Sequence, residues 1–187
     1  MSRKVLWGVV GALCAAGLGQ GTLTPRLSLE EMVERSERIV RGRCLRTWAA
    51  WDADRQFIWT HAEIQVADWL KGGREATLVV SEPGGVVGGL SMTIDGAPQY
   101  QPGEEVVAFL YRTPIGFWRL RGLGQGKFRI QADAAGRRLA RPDLAGVALV
   151  DSNGRPARQA AFDGLGLEEF LHRVRGLVAR QAAGGGR

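Results

Sequence analysis

Three observations predict a mainly-β domain with a helix at each end. Short apolar runs alternate with polar residues at a period of two, glycine-rich corners separate these runs, and helical spacing occurs only at the start and finish of the domain. With 187 residues, 45% hydrophobic and 24% charged, the chain fits one globular domain, and its composition excludes a disordered polymer. Short, strongly twisted strands with glycine corners favour a small closed barrel over an open sheet.

The first residues have a separate role. Ser2, Arg3 and Lys4 form a basic start, residues 5–19 are uncharged and apolar, and residues 20–24 are small and polar, which is the three-part layout of a secretory signal. The apolar run is too short to span a bilayer, which needs about 20 residues. Leu13 before Cys14 does not suit lipid attachment. We therefore expect residues 1–20 to be a signal peptide, cleaved between Ala16 and Gly21. The mature protein would be periplasmic or extracellular, with no membrane span. Cleavage removes Arg3 and Lys4 from a chain of net charge +6 and leaves Cys44 as the sole thiol, so no internal disulfide is available despite an oxidising destination. The domain, residues 21–182, must hold together through its core.

Ser28 and Glu31 make a capping box ahead of Leu29, Met32 and Val33, predicting a short helix over residues 29–37. Residues 39–47 and 57–69 read as the arms of a long hairpin around a polar turn at 52–55, with Ile58, Thr60, Ala62, Ile64 and Val66 on one side. Lys71-Gly72-Gly73 ends the second arm, and residues 76–81 supply the next strand. Residues 90–94 and 97–100 flank Asp95-Gly96, a dipeptide suited to a tight hairpin. Residues 106–111, 118–120 and 127–130 complete the β-rich part, with Gly122, Gly124 and Gly126 permitting a bend or a close approach. A short hairpin is expected around Asn153-Gly154. Leu167, Phe170, Leu171, Val174, Leu177 and Val178 mark one face of a C-terminal amphipathic helix over about 167–180. The small residues that follow, with 183–187 at the end, read as a flexible tail.

Two resemblances follow from these strings. Ile39-Val40-Arg41-Gly42, with a strand ending Asp68-Trp69-Leu70-Lys71-Gly72, resembles the opening of the netrin-like domain of tissue inhibitors of metalloproteinases, over residues 38–72. This resemblance implies a small OB-like barrel. Pro83-Gly84-Gly85, the run Gly103-Glu104-Glu105-Val106-Val107-Ala108-Phe109-Leu110 and Gly124-Gln125-Gly126-Lys127-Phe128 are similar to exported bacterial proteins of unassigned function, over about 28–180. The inhibitors chelate the protease zinc through an amino-terminal cysteine. Here the expected mature start near Gln20 or Gly21 has none, so that inhibitory chemistry does not carry over.

Catalytic patterns are sparse. Cys44 and His61 could form a nucleophile–base pair, but alternation along the hairpin turns Cys44 inward and His61 outward. The two histidines lie 111 positions apart with no metal-ligand spacing around them, so no metal and no cofactor is expected. His172 reads as a solvated helix residue. Asp52 and Asp54 lack the glycine and glutamate of a calcium loop. The glycine stretches lack the Lys-Ser or Lys-Thr of a phosphate cradle. A hydrolase with spatially assembled carboxylates stays open, because the separation such carboxylates need is spatial.

Two features suggest binding instead. Residues 112–142 carry Arg112, Arg119, Arg121, Lys127, Arg129, Arg137, Arg138 and Arg141 against Asp133 alone, either a solvated face or a site for an anionic envelope polymer. Nucleic acid is not the expected partner, because the chain is read as exported and stacking aromatics do not recur along one strand. Trp48, Trp51, Phe57 and Trp59 cluster near the hairpin tip, either a contact surface or a patch covered by another segment. The resulting expectation is a non-catalytic module that contacts another exported or envelope protein through this tip. Electrostatic polymer binding centred on Arg119 and Arg121 is the alternative.

Overall fold

The computed structural model describes residues 22–158 and 164–184. The expected signal peptide and the last three residues of the expected tail lie outside the described residues. In chain order the elements are β1 (Thr22–Pro25), α1 (Leu29–Arg35), β2 (Arg38–Trp51), β3 (Ile58–Lys71), β4 (Thr77–Pro83), β5 (Gly85–Val87), β6 (Leu90–Met92), β7 (Glu105–Arg112), β8 (Trp118–Leu120), β9 (Lys127–Ala132), β10 (Arg138–Pro142), β11 (Val147–Val150), β12 (Leu165–Gly166) and α2 (Leu167–Gly184). The fold is mainly β, as predicted.

Five strands form a ring: β7 pairs with β2, β2 with β3, β3 with β4, β4 with β8, and β8 returns to β7. All contacts in the ring are antiparallel except β4 with β8, which is parallel and rests on a single register pair, Val80 with Trp118. β9, β10 and β12 extend the sheet beyond β7.

The unbroken apolar run of β7 follows from burial on both faces. Val106, Ala108 and Leu110 join Val40, Cys44, Ala62, Ile64, Leu78 and Val80 inside the ring. Val107 and Phe109 face the other way, against Met32 and Val33 of α1 and Phe170, Leu171 and Val174 of α2. Successive residues of one strand thus serve two cores. Ile39 and Val40 divide in the same manner.

The α1 capping box forms: Glu31 N–H donates to Ser28 Oγ at 3.1 Å, and Ser28 N–H donates to the Glu31 carboxylate at 2.9 Å. The β2–β3 hairpin forms too, with register shifts, one of which leaves Leu45 unpaired between Cys44 and Arg46. This bulge reverses which parity of β2 faces inward. Cys44 stands opposite Ile64, yet beyond the bulge Thr47 stands opposite Ala62 and Trp48 opposite His61.

Several expectations are corrected. Asp95-Gly96 makes a turn, with Ala97 N–H donating to Ile94 O at 3.1 Å, but no strand follows at 97–100. The Gln99 carbonyl accepts from the Lys127 ammonium. The tight hairpin is instead β5–β6, around Gly88 and Gly89, whose φ angles of 59° and 83° fit a two-residue turn. β1 and β10 were not foreseen. β1 pairs in parallel with β11, a long-range contact without local pattern. The turn at Asn153-Gly154 forms, joined by a bridge between Val150 and Pro156. α2 runs to Gly184, so residues 182–184 are helical rather than tail. Their alanines favour helix, and the preceding Gln181 is held by Lys71 Nζ at 2.8 Å.

Gly124 and Gly126 serve close approach. A Cβ on Gly124 would lie 1.8 Å from Asp143 O, and one on Gly126 would lie 2.4 Å from Arg121 O. The 3-10 turn Leu123–Gly126 therefore packs backbone on backbone.

Candidate functional site: an aromatic face on β2, β3 and β4

Strand register alone puts Trp48, His61 and Ser81 in one row across three strands. The bulge at Leu45 is what brings Trp48 onto the His61 side. The two rings lie 5.2 Å apart, tilted by 30°. Phe117, from the loop between β7 and β8, meets His61 edge-on at 5.6 Å and Trp59 at 5.0 Å. That loop is closed by Thr113: its N–H donates to Phe117 O at 2.8 Å, and its hydroxyl accepts from Phe117 N–H at 2.9 Å. Beside this row opens a cleft of about 390 Å³ lined by Arg38, Glu75, Val79, Phe117 and Trp118 with His61.

Charges border the aromatics. The Arg46 guanidinium lies 4.9 Å from the Trp48 ring centroid and pairs with Glu63 at 2.6 Å. Arg38 lies 4.3 Å from the Trp118 ring and pairs with Glu75 at 2.8 Å. Such cation–π contacts hold flat rings in place. Burial pushes the His61 pKa down, which keeps the ring neutral near pH 7.

His61 Nδ1 and Ser81 Oγ are hydrogen bonded at 2.8 Å, a pair that sequence spacing does not display. Ser81 is 2% exposed beneath the imidazole and also borders the cleft. Cys44 is buried on the other face, as alternation predicted. Burial, then Glu104, push its thiol pKa up, which disfavours a thiolate. His172 is exposed, as expected. Among the described residues no cluster of His, Cys, Asp and Glu could hold a metal ion, and no helix is long and apolar enough to cross a membrane.

The four tip aromatics do not form one surface. Trp48 is 37% exposed and Phe57 50%. Trp59 is only 9% exposed, covered by Phe117 and by Arg119, whose guanidinium lies 5.7 Å from its ring, so for this ring the covered patch is the outcome. Trp51 stands opposite Ile58, on the reverse face from Trp48. Phe117 and Trp118 were missed as site residues, because only the closure of the ring brings β8 beside β3 and β4.

The basic stretch at 112–142 is also divided. Glu82 pairs with Arg119, Glu104 and Asp143 with Lys127 and Arg129, Asp133 with Arg137, and Glu105 with Arg138. Four of these five carboxylates come from outside the stretch. Lys127 is fully buried, its ammonium held by Glu104 at 2.9 Å and Asp143 at 3.1 Å and placed 4.5 Å from the Tyr100 ring. Arg121 donates to Arg35 O at 2.6 Å, at the end of α1, and stacks on Tyr111. It shares no partner with Arg119.

Against models of known protein families the chain matches none, and no curated protein matches it.

Proposed function

We propose that the protein is an exported, non-catalytic binding module that contacts another exported or envelope protein through the Trp48–His61–Phe117 face. The observation that carries this reading is an aromatic row in which Trp48 is exposed and His61 and Phe117 are half-buried, with exposed Val79 and a cleft beside it. Tryptophan and arginine together are the residue types that concentrate binding energy in protein interfaces.

We read the five-stranded ring as an OB-like barrel. Its strand order and the parallel β4–β8 contact support this. In such barrels the second and third strands and the loops flanking them carry ligand contacts. The counterparts here are β3 and β4, with the loops at 52–57 and 113–117. Export by residues 1–20 belongs to the same proposal. The polymer alternative loses support at 112–142, where four of the eight cations are balanced charge for charge by carboxylates and a fifth, Arg138, shares Glu105 with two other arginines.

The test is affinity capture from the exported and envelope protein fraction, at low and high salt. A discrete protein retained at high salt and lost with Trp48→Ala and with Phe117→Ala supports the proposal. Retention only at low salt, or retention untouched by both substitutions, sinks it.

A further inference from the structure

Carboxylates and guanidiniums balance at one cluster and not at another. Lys127 and Arg129 face Glu104 and Asp143, charge for charge. On the neighbouring end of the sheet three arginines converge on Glu105 alone. Arg41 Nε donates to it at 3.0 Å, Arg138 at 2.5 Å, and Arg43 approaches its other oxygen at 3.8 Å. The surplus is two positive charges beside a cleft of about 320 Å³ that all four residues line.

The donors are also unspent. A guanidinium carries five N–H donors, and each arginine here uses one in a hydrogen bond: Arg41 and Arg138 to Glu105, Arg43 to Gly103 O at 2.8 Å. Arg41 is the telling member, because its side chain is only 22% exposed. Its remaining N–H donors are not buried, so they are open to an acceptor that enters the cleft. An ion pair that only fastened β2 to β7 would need one arginine. Three of them repel one another, and forked donors of this kind match the oxygens of a carboxylate, sulfate or phosphate.

We propose that Arg41, Arg43 and Arg138, gathered around Glu105, form a binding site for a sulfate or phosphate group. Glu105 sets the geometry of the arginines and competes with the incoming anion. The site is separate from the aromatic face and does not depend on it. It takes Arg138 from the 112–142 stretch, but Arg41 and Arg43 come from β2.

The experiment is isothermal titration of the full chain with inorganic sulfate, inorganic phosphate and a sulfated disaccharide, with ionic strength held constant by chloride. Saturable binding is expected, weakened about tenfold by Arg138→Gln or Arg43→Gln, both exposed enough to leave the fold intact, and tightened about tenfold by Glu105→Gln. Saturation by the inorganic ions assigns the site to a free oxyanion, whereas saturation by the disaccharide alone assigns it to an ester on a glycan. No saturable binding to any of the three, or affinity indifferent to all three substitutions, overturns the proposal.

Discussion

Glu82 accepts the Leu120 backbone N–H at 2.7 Å, and this side chain does the work of a missing sheet bond. β4 and β8 share one register pair, so the ring closes through a carboxylate that also takes Arg119 at 3.3 Å. The seam lies beside Phe117 and Trp118, and its integrity decides whether the aromatic face exists.

Burial raises the Glu82 pKa from 4.5 to about 7, against the opposing pull of Leu120 N–H and Arg119. A carboxyl whose folded pKa is raised stabilises the fold fully below its unfolded pKa, and that contribution is lost as pH rises through the folded value. The window is about pH 4.5 to 7. Across it the wild type should lose about 3 kcal/mol relative to Glu82→Gln, measured by urea unfolding at a series of pH values. A constant difference between the two proteins would contradict this role.

Trp48 and Trp59 should separate cleanly. Trp48→Ala removes a partly exposed ring and is expected to change unfolding free energy by less than about 1 kcal/mol while abolishing partner capture. Trp59→Ala empties a covered site and should cost about 3–5 kcal/mol. Urea midpoints of the two variants check both statements.

Lys127→Met should be severe for its own reason. It leaves Glu104 and Asp143 with only Arg129 between them, and breaking a buried pair costs about 3–5 kcal/mol. Adding Glu104→Gln should recover part of that loss in a double-mutant cycle. Full additivity of the two would show that they do not interact.

Gly124→Ala meets Asp143 O at 1.8 Å and should reach or exceed the upper end of the about 1–3 kcal/mol that overpacking costs. Gly154→Ala has open space and only a φ of 73° against it, so about 1 kcal/mol is expected. Thermal midpoints rank the two.

Much of the architecture was legible locally. The Ser28–Glu31 capping box, the long hairpin and the apolar stripe of α2 are written in neighbouring residues, because caps and periodicity act over one or two turns of chain. β1 and β10 were not, since each is stabilised by a partner distant in sequence or by a sheet extension with little pattern of its own. Strict alternation along β2 fails at Leu45, where one extra residue flips every side chain beyond it. That flip brings Trp48 to the His61 side and turns Trp51 away from it.

The sequence by itself determined a β-rich chain with a capped helix in front and an amphipathic helix behind, Cys44 facing inward, and stretches rich in aromatic and in basic residues. Tertiary structure alone decided which of those residues meet. Arg119 found Glu82, Lys127 found Glu104, and Arg41, Arg43 and Arg138 found only Glu105. Charge counted along the chain cannot reveal this, because Coulomb interactions follow distance in space and the compensating carboxylates arrive on other strands.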